Sequence, residues 1–296
     1  MSDGDGWVTL PDGSRRWGRF GSAGLLLRAP EGRSAGGGHV LMQHRAVWSH
    51  QGGTWGVPGG ARNSDETPVQ AAMREFGEEV AGDPGSIELI GLHRQEHTVW
   101  RYDTVLARAA AGERLEAANW ESDEVRWVGV GEVANLRLLP AFGRTWPLLR
   151  EALGRRLAVH VDASAVLPAE DAESVERLRD DLADLAASGV AAEALPDGMS
   201  GSGLHLWFPR IRLLVSACAQ APDPVPGVEV VARSGVSAAP PTEAESADGV
   251  RTQTLLVTGG DEVPGAGGTH TVPPSWLAAA GALPTAAKQG PGVPET

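Results

Sequence analysis

The sequence predicts an α/β protein of two units: a first unit with a mixed sheet, and a smaller second unit with a parallel sheet. Its 296 residues are about twice the length of a typical single domain. Strand-length apolar segments surround one helical stripe up to about residue 153, and from residue 157 short apolar strands alternate with helix or loop. An apolar content of 42% suffices for a core in each unit.

The first unit is expected to contain five strands and two helices. A helix over Pro68–Val80 follows from the apolar positions Val69, Ala72, Met73 and Phe76, which fall on one helical stripe. Thr67 supplies its N-cap and Pro68 its first position, and the run from Gly82 to Gly85 ends it. The other predicted elements are strands at Gly24–Arg28, His39–His44, Ile87–His93, Thr98–Arg108 and Val125–Val130, and a helix at Trp146–Gly154.

The second unit is expected to be a parallel sheet with crossover helices. Its predicted elements are strands at Leu157–Val161, Ile211–Ser216, Val228–Ala232 and Thr254–Thr258, with a helix at Ala172–Ala187. The resulting division is an N-terminal extension over 1–16, a first domain over 17–153, a second domain over 155–283 and a disordered tail over 284–296. A chain ending at Gly154 is therefore expected to fold.

Composition excludes several classes of protein. The net charge of −13 argues against binding to a phosphate backbone, which depends on clustered Lys and Arg. A single cysteine, Cys218, excludes an internal disulfide framework and a multi-cysteine metal site. The chain has no basic segment followed by an apolar leader and no apolar run of membrane-spanning length, so we expect a soluble cytoplasmic protein with no membrane partner. A homodimer remains an open alternative.

Three carboxylates share one face of the first predicted helix. Glu75, Glu78 and Glu79 stand at i, i+3 and i+4, where like charges repel by a few tenths of a kcal/mol per pair. Arg74 could compensate them, but a hard divalent cation, Mg²⁺ or Mn²⁺, suits a set of oxygen ligands better. The alternative is a solvated acidic face, which is the usual meaning of a local glutamate cluster.

The residues around this cluster resemble the Nudix box, Gly-x5-Glu-x7-Arg-Glu-U-x-Glu-Glu-x-Gly-U, where U is aliphatic. Six positions fall in register: Gly60, Glu66, Arg74, Glu75, Glu78 and Glu79. The departures are Phe76 at the first U, Ala81 in place of glycine and Gly82 at the final U, and none of them replaces a carboxylate. The preceding Trp-Gly-Val-Pro-Gly-Gly is similar to the lead-in that the family usually has.

The resemblance covers residues 17–153 and implies an α/β/α Nudix sandwich with a mixed sheet. It implies a Mg²⁺- or Mn²⁺-dependent hydrolase of a nucleoside diphosphate linked to another moiety, such as a nucleoside triphosphate or ADP-ribose. The implied metal ligands are the Gly59 carbonyl and the carboxylates of Glu75, Glu78 and Glu79, while Gly60 and a Glu66–Arg74 pair support the loop. The implied general base is either a box glutamate or one from a later loop, where Glu121 and Glu124 both qualify.

A small-molecule nucleotide is the partner that this interpretation requires, and it needs an aromatic face as well as a metal. Trp55 and Trp120 are the candidate stacking residues, and Arg45 is a further candidate for binding the substrate. Trp48 and Trp100 are further possibilities for stacking. The competing hypothesis is a Nudix fold that senses a nucleotide or acts as a scaffold without turnover.

A second pattern, His93-x-x-Glu96-His97, fits the motif of inverted zinc peptidases. That motif requires a helix, so that both imidazoles reach one metal. The flanking segments instead predict strands, on which the two imidazoles would be about 13 Å apart. We therefore expect these histidines to lie on the sheet surface or in a substrate pocket.

The second unit weakly resembles PIN/NYN-type nuclease domains, which carry acids at the carboxyl ends of their strands. Asp162 and Asp261 follow two predicted strands in this way and are candidate site residues. Ala165 stands where such domains have asparagine, and no acid follows Ser216. A degenerate domain is the favoured interpretation, and a second, nuclease activity is the alternative. The structural explanation of Asp162 is a helix cap or a turn residue.

Overall fold

A computed structural model describes residues 3–29, 38–49, 51–110, 115–120, 122–199, 203–216, 222–233, 250–259, 263–264 and 269–282. The chain divides into two compact units. The first comprises Met1–Leu157, Asp197–Phe208 and Glu243–Thr252, and the second comprises Ala158–Pro196, Pro209–Thr242 and Gln253–Thr296. Sequence reasoning expected one boundary near residue 154, whereas the structure adds two later segments to the first unit. Glu121, Cys218, Asp261 and the tail over 284–296 lie outside the described residues.

The elements as far as residue 153 begin with a short hairpin and end with a helix. In chain order they are β1 (Trp7–Thr9), β2 (Arg15–Trp17), β3 (Ser22–Arg28), β4 (His39–Arg45), β5 (Trp55–Gly56), β6 (Gly59–Ala61), α1 (Pro68–Glu79), β7 (Val80–Ala81), β8 (Ile87–His97), β9 (Trp100–Ala109), β10 (Glu116–Ala117), β11 (Ser122–Gly129) and α2 (Pro140–Leu153).

The described elements after residue 153 are strands and three helices, the last of which follows the final strand. They are β12 (Arg155–Asp162), α3 (Ala163–Val166), α4 (Ala172–Ser188), β13 (Val190–Ala191), β14 (Leu206–Trp207), β15 (Arg210–Ser216), β16 (Val228–Arg233), β17 (Arg251–Val257), β18 (Val263–Pro264), β19 (Thr269–Val272) and α5 (Ser275–Ala280). None of the helices in the described ranges combines the length and apolarity needed to cross a membrane.

The first unit is organised around a mixed sheet in the order β11-β4-β3-β9-β8-β14. β3 and β9 are parallel, and the other neighbouring pairs are antiparallel. Leu25 and Leu27 join a core with Ala72 and Phe76 of α1. Leu26, which alternates with them and points to the opposite face, is also fully buried. Because both faces are covered, the sheet lies between layers, and the predicted mixed α/β fold is confirmed.

The boundaries of both helices in the first unit differ from the prediction. α1 ends at Glu79 rather than Val80, because Val80 turns to an extended conformation and pairs with Ala117. Helix α2 begins at Pro140, six residues before the predicted start at Trp146. Its N-cap, Leu139, makes no side-chain hydrogen bond, and its interior contains Pro147, so Pro140 at the first position is the remaining start signal.

The predicted N-terminal extension contains an ordered hairpin. β1 and β2 pair antiparallel, with Trp7 opposite Trp17 and Val8 opposite Arg16. Their connection is closed by Asp12, whose carboxylate accepts hydrogen bonds from the backbone N–H and the hydroxyl of Ser14. The rings of Trp7 and Trp17 contact edge to face at 5.3 Å.

The second unit has a largely parallel sheet in the order β16-β15-β12-β17-β19-β18. The pairs β12/β15, β15/β16 and β17/β19 are parallel, and β18/β19 is antiparallel. Helix α4 packs on β15 and β16. Its N-cap is Asp171, which accepts from the backbone N–H of Ser174. The predicted parallel-sheet region is therefore confirmed.

Candidate active site

Helix α1 starts with a complete capping box that fixes the loop before it. The Thr67 hydroxyl accepts from the backbone N–H of Gln70 at 3.2 Å, and the Gln70 side chain accepts from the backbone N–H of Thr67 at 2.8 Å. Pro68 occupies the first turn. Because these contacts are local, the sequence alone sets where the helix begins and which residues face the loop.

Arg74 binds the loop to the helix through every side of its guanidinium group. Nε and Nη2 donate to the two carboxylate oxygens of Glu66 at 2.6 and 2.9 Å, and Nη2 also donates to the Ala61 carbonyl at 2.8 Å. Nη1 donates to Glu75 at 2.9 Å and lies 3.4 Å from Glu78. The hydrogen bonds from Arg74 lower the pKa of Glu66 to about 2, and the same pair raises the pKa of Arg74.

The three box carboxylates differ in their environment. Glu79 is buried and Glu75 is half-buried, whereas the Glu78 side chain is 57% exposed. Glu79 accepts a hydrogen bond from the backbone N–H of Gly59 at 2.8 Å. Burial raises the pKa of Glu79 to about 7 and also raises the pKa of Glu75, although Arg74 opposes the second shift. Desolvation therefore disfavours the charged form of both Glu75 and Glu79, and Arg74 offsets this for Glu75.

This donor set fits a hard divalent cation. All three side chains present carboxylate oxygens, and a cation would offset the desolvation of Glu75 and Glu79. As the side chains stand, no three potential ligands converge on one point within the described residues. Arg74 and the Gly59 N–H hold them apart. The Arg74–Glu78 contact is long and exposed, so Glu78 can leave it at a cost of about 1 kcal/mol or less.

The carboxylates line a cavity of about 720 Å³, which we call the carboxylate cavity. Its wall combines the acids of α1, the glycine loop before α1 and an aromatic rim. The lining residues are Asp5, Trp7, Trp17, Arg45, Trp48, Ser49, Gly59, Gly60, Ala61, Asn63, Arg74, Glu75, Glu78, Glu79 and Asn119.

A second cavity of about 360 Å³, which we call the aromatic cavity, lies beside the same loop. It is lined by rings and neutral polar groups, with arginines and no acidic residue among its described lining residues. These are Arg16, Trp17, Ser22, Arg45, Gln51, Gly56, Val57, Gly59, Gly60, Gln95, His97, Trp100, Tyr102, Thr104, Leu139, Pro140, Ala141, Phe142 and Arg144. Trp17, Arg45, Gly59 and Gly60 belong to both cavities, so the two meet there.

The candidate substrate residues fall in different places. Arg45 lies where the cavities meet. Trp55 is buried, with its ring against His44 and under Arg126, and it lines neither cavity. Trp120 is 74% exposed and stacks at 4.5 Å on Trp48, which lines the carboxylate cavity. The two tryptophans proposed for stacking therefore have unlike surroundings.

The two loop candidates for the general base also differ. Glu124 lies on β11 opposite His44, its carboxylate is 3.5 Å from Arg126, and it is not among the residues that line the carboxylate cavity. Glu121 lies outside the described residues, and its role stays a prediction. The neighbouring Asn119 donates to the Glu78 carbonyl at 3.3 Å, so the chain reaches the end of α1 shortly before Glu121.

His93 and His97 both lie on strand β8, as expected, and not on a helix. His93 is buried and contacts the Gly203 carbonyl at 2.8 Å, while His97 lines the aromatic cavity. A strand cannot bring residues four apart to one metal ion. The peptidase motif is therefore coincidental.

In the second unit, the predicted acid at the end of β12 is held in an ion network. Asp162 caps α3 by accepting from the backbone N–H of Ser164, as its structural explanation required. Arg233 donates to Asp162 at 2.8 Å and to Glu170 at 3.0 Å, and Glu170 also accepts from the backbone N–H of Ser216. The guanidinium group thus provides the positive charge between these acids. Asp261 lies outside the described residues.

Sequence reasoning missed most residues of the aromatic cavity. Trp100, a stacking candidate from the sequence, alternates along β9 with Tyr102 and Thr104. All three line the cavity, so the two-residue period of the strand indicates the other two. Phe142 reaches it from the undetected first turns of α2. Arg16 comes from the hairpin β1–β2, a region in which the sequence analysis predicts no strand.

Comparison with known proteins gives a family-model match and relatives that each match about half of the chain. Residues 19–150 match the family model described as NUDIX domain. "Putative 8-oxo-dGTP diphosphatase 3" of Mycobacterium tuberculosis is 51% identical over 160 residues, which cover 51% of this chain and 70% of that protein. "Nucleoside triphosphate pyrophosphatase/Nudix hydrolase fusion protein" of Bifidobacterium longum is 44% identical over 146 residues, covering 49% and 30%. The crystal structure of the Nudix hydrolase RenU from M. smegmatis is 46% identical, with a TM-score of 0.45, and covers 50% of this chain and 94% of that one.

Proposed function

The chain belongs to the Nudix hydrolase family, and on that premise we propose that it is a Mg²⁺-dependent pyrophosphohydrolase of purine nucleoside triphosphates, with 8-oxo-dGTP as the first substrate to test. The observation that carries the proposal is the meeting of the two cavities at Arg45 and the Gly59–Gly60 loop. An acidic compartment suited to a metal–phosphate group thereby adjoins an aromatic compartment suited to a nucleoside.

The phosphates belong in the carboxylate cavity. There Glu75, Glu78 and Glu79 would hold Mg²⁺, with the Gly59 carbonyl as the further ligand that the family resemblance implies. A bound divalent cation neutralises phosphate oxygens and makes water a better nucleophile. The bidentate Arg74–Glu66 pair keeps the loop and the helix in register while substrate enters. Arg45, at the boundary, is positioned to bind a phosphate oxygen.

The reaction consumes one water molecule for each phosphoanhydride bond broken. The water oxygen bonds to phosphorus, the P–O bond to the bridging oxygen breaks, and the leaving phosphate carries that oxygen away. We propose that a carboxylate oxygen of Glu78, the most exposed of the three, accepts the proton of the water. Glu121 is the alternative base from the later loop.

The nucleoside belongs in the aromatic cavity. Trp100, Tyr102 and Phe142 offer ring faces, and Gln95 offers an amide that already bonds Thr145 of α2 at 2.9 Å. The name of the M. tuberculosis relative supports 8-oxo-dGTP as the nucleotide. The 51% identity to that relative is the reason to begin the substrate search with oxidised guanine nucleotides.

The test is a substrate panel assayed with the full chain and Mg²⁺. It contains 8-oxo-dGTP, dGTP, dATP, ADP-ribose and a dinucleoside polyphosphate, with release of phosphate products as the readout. We expect 8-oxo-dGTP or dGTP to be the best substrate, EDTA to abolish turnover, and Glu78→Gln to lower kcat by at least about 100-fold. Glu96→Gln, which removes an exposed carboxylate from β8 outside both cavities, should leave kcat unchanged.

Two outcomes would overturn the proposal. If Glu78→Gln hydrolyses the substrate at the wild-type rate, the proposed roles of Glu78 as metal ligand and general base are wrong. If the protein binds nucleotides but hydrolyses no member of the panel, it is a nucleotide sensor built on the same fold and not an enzyme.

A further inference from the structure

The hairpin β1–β2 precedes residues 19–150, which match the family model, yet it is attached to the box loop. Asp3, just before the hairpin, accepts hydrogen bonds from the Ser64 hydroxyl at 2.5 Å and the Ser64 N–H at 3.2 Å. The Gly4 N–H donates to the Asn63 side chain at 3.2 Å. A Cβ on Gly4 would lie 2.3 Å from the Arg62 carbonyl oxygen, so this close approach depends on glycine.

The side chains of the hairpin reach the two cavities to different extents. Trp7 and Trp17, paired on one face, both line the carboxylate cavity. Arg16, which alternates with Trp17, lines the aromatic cavity and not the carboxylate cavity. The guanidinium carbon of Arg15 lies over Trp7, 4.7 Å from the ring centroid, and Arg15 lines neither cavity. Adjacent arginines on one strand therefore have unequal access to a ligand.

The position of Arg16 determines which part of a nucleotide it can reach. The phosphates are assigned to the carboxylate cavity, and Arg45 spans the boundary, so a residue confined to the aromatic cavity faces the base or sugar. A guanidinium group only donates hydrogen bonds. It therefore favours a base that presents carbonyl oxygens and disfavours one that presents an amino group at the same edge.

We propose that the N-terminal hairpin is part of the substrate site and that Arg16 selects oxopurine nucleotides over adenine nucleotides by donating to a purine carbonyl oxygen. This inference rests on the proposed function and adds to it the residue that reads the base. Docking of Asp3 and Gly4 on the box loop holds Arg16 in place. Trp17, which lines both cavities, covers the junction between base and phosphates.

The test compares neighbouring arginines. Arg16→Ala should lower the ratio of kcat/KM for 8-oxo-dGTP to kcat/KM for dATP by about 10-fold, mainly through KM for the oxopurine, because one well-placed guanidinium–base contact is worth about that much. Arg15→Ala should leave the ratio unchanged. Arg16→Lys, which keeps the charge but loses the planar group, should lose most of the selectivity. It also provides a second test in case the alanine variant misfolds.

A binding experiment separates base recognition from turnover. The product monophosphate 8-oxo-dGMP, titrated in EDTA by calorimetry, should bind about 10-fold more weakly to Arg16→Ala than to wild type and equally well to Arg15→Ala. Ser64→Ala, which weakens the docking of Asp3, should change affinity in the same direction as Arg16→Ala. Unchanged selectivity and unchanged monophosphate affinity in both Arg16 variants would overturn the inference while leaving the hydrolase intact. If wild type hydrolyses no nucleotide, the proposed function itself fails.

Discussion

Replacing Gly60 with alanine would place a methyl group against the carboxylate of Glu75. An ideal Cβ at this position lies 2.4 and 2.6 Å from the two carboxylate oxygens, whereas ordinary contacts begin at 3.4 Å. The carboxylate must therefore move by about 1 Å. A displacement of that size in a group that positions the reacting atoms costs about 100-fold in rate.

Stability should change far less than activity. The obstructing atoms are the end of a flexible side chain, and no backbone atom is among the three nearest. The loss of the Arg74–Glu75 hydrogen bond costs about 1 kcal/mol, and the less flexible unfolded chain of the alanine variant offsets part of it. We expect kcat/KM to fall about 100-fold while the free energy of unfolding stays within about 1 kcal/mol of wild type.

Gly77→Ala, on the helix that carries Glu75, is the matched control. A Cβ there meets nothing within 4 Å, and alanine in a helix interior stabilises by about 1 kcal/mol relative to glycine. Both variants would be assayed for steady-state hydrolysis and for denaturant unfolding. A Gly60→Ala enzyme that keeps kcat/KM within three-fold of wild type would show that the observed place of Glu75 is not the one catalysis uses.

Two further predictions concern the buried acid and the domain boundary. In EDTA, the pKa of Glu79 is about 7 in the folded protein, which lies above its value in the unfolded chain. Its contribution to the free energy of unfolding is therefore complete below pH 4.5 and is lost as the pH rises through 7. Between pH 5 and 8, the free energy of unfolding of Glu79→Gln, measured by chemical denaturation, should therefore vary with pH by up to about 3 kcal/mol less than that of wild type. The same pH dependence in both proteins would contradict the burial argument. A chain truncated after Gly154 loses β14 and the fully buried Trp207, so we expect it to unfold at lower denaturant than a chain ending after the first unit's last segment at Thr252. Equal denaturation midpoints for the two truncated chains would support the boundary near residue 154 that the sequence predicts.

Local features of the site could be predicted from the sequence. The start of α1 depends on Thr67 and Pro68, and the shared face of Glu75, Glu78 and Glu79 depends only on helical spacing. The Arg74–Glu66 pair, implied by the Nudix resemblance, is present as a bidentate contact. These features involve residues at most eight positions apart, so local geometry and one sequence motif were enough to anticipate them.

The aromatic cavity could not be predicted in the same way. Arg16, Gln95, Tyr102 and Phe142 come from four separate elements, and their convergence depends on strand pairing and on where α2 begins. No spacing rule connects residues that far apart in the chain. The outcome for Trp55 has the same cause, since sequence showed a ring beside the glycine loop but not that the ring packs against His44 and Arg126.

The return of the chain to strand β8 has a consequence for folding during synthesis. The contact between His93 and Gly203 spans 110 residues, and Leu206 and Trp207 pair with Leu92 and Gly91. The first unit therefore cannot finish its sheet when the ribosome has completed α2. It must wait for roughly 50 more residues, which take some seconds at about 5–20 residues per second. Throughout that interval β8 is a nascent edge strand, open to pairing with other chains, and a chaperone that shields it would raise the yield of folded enzyme.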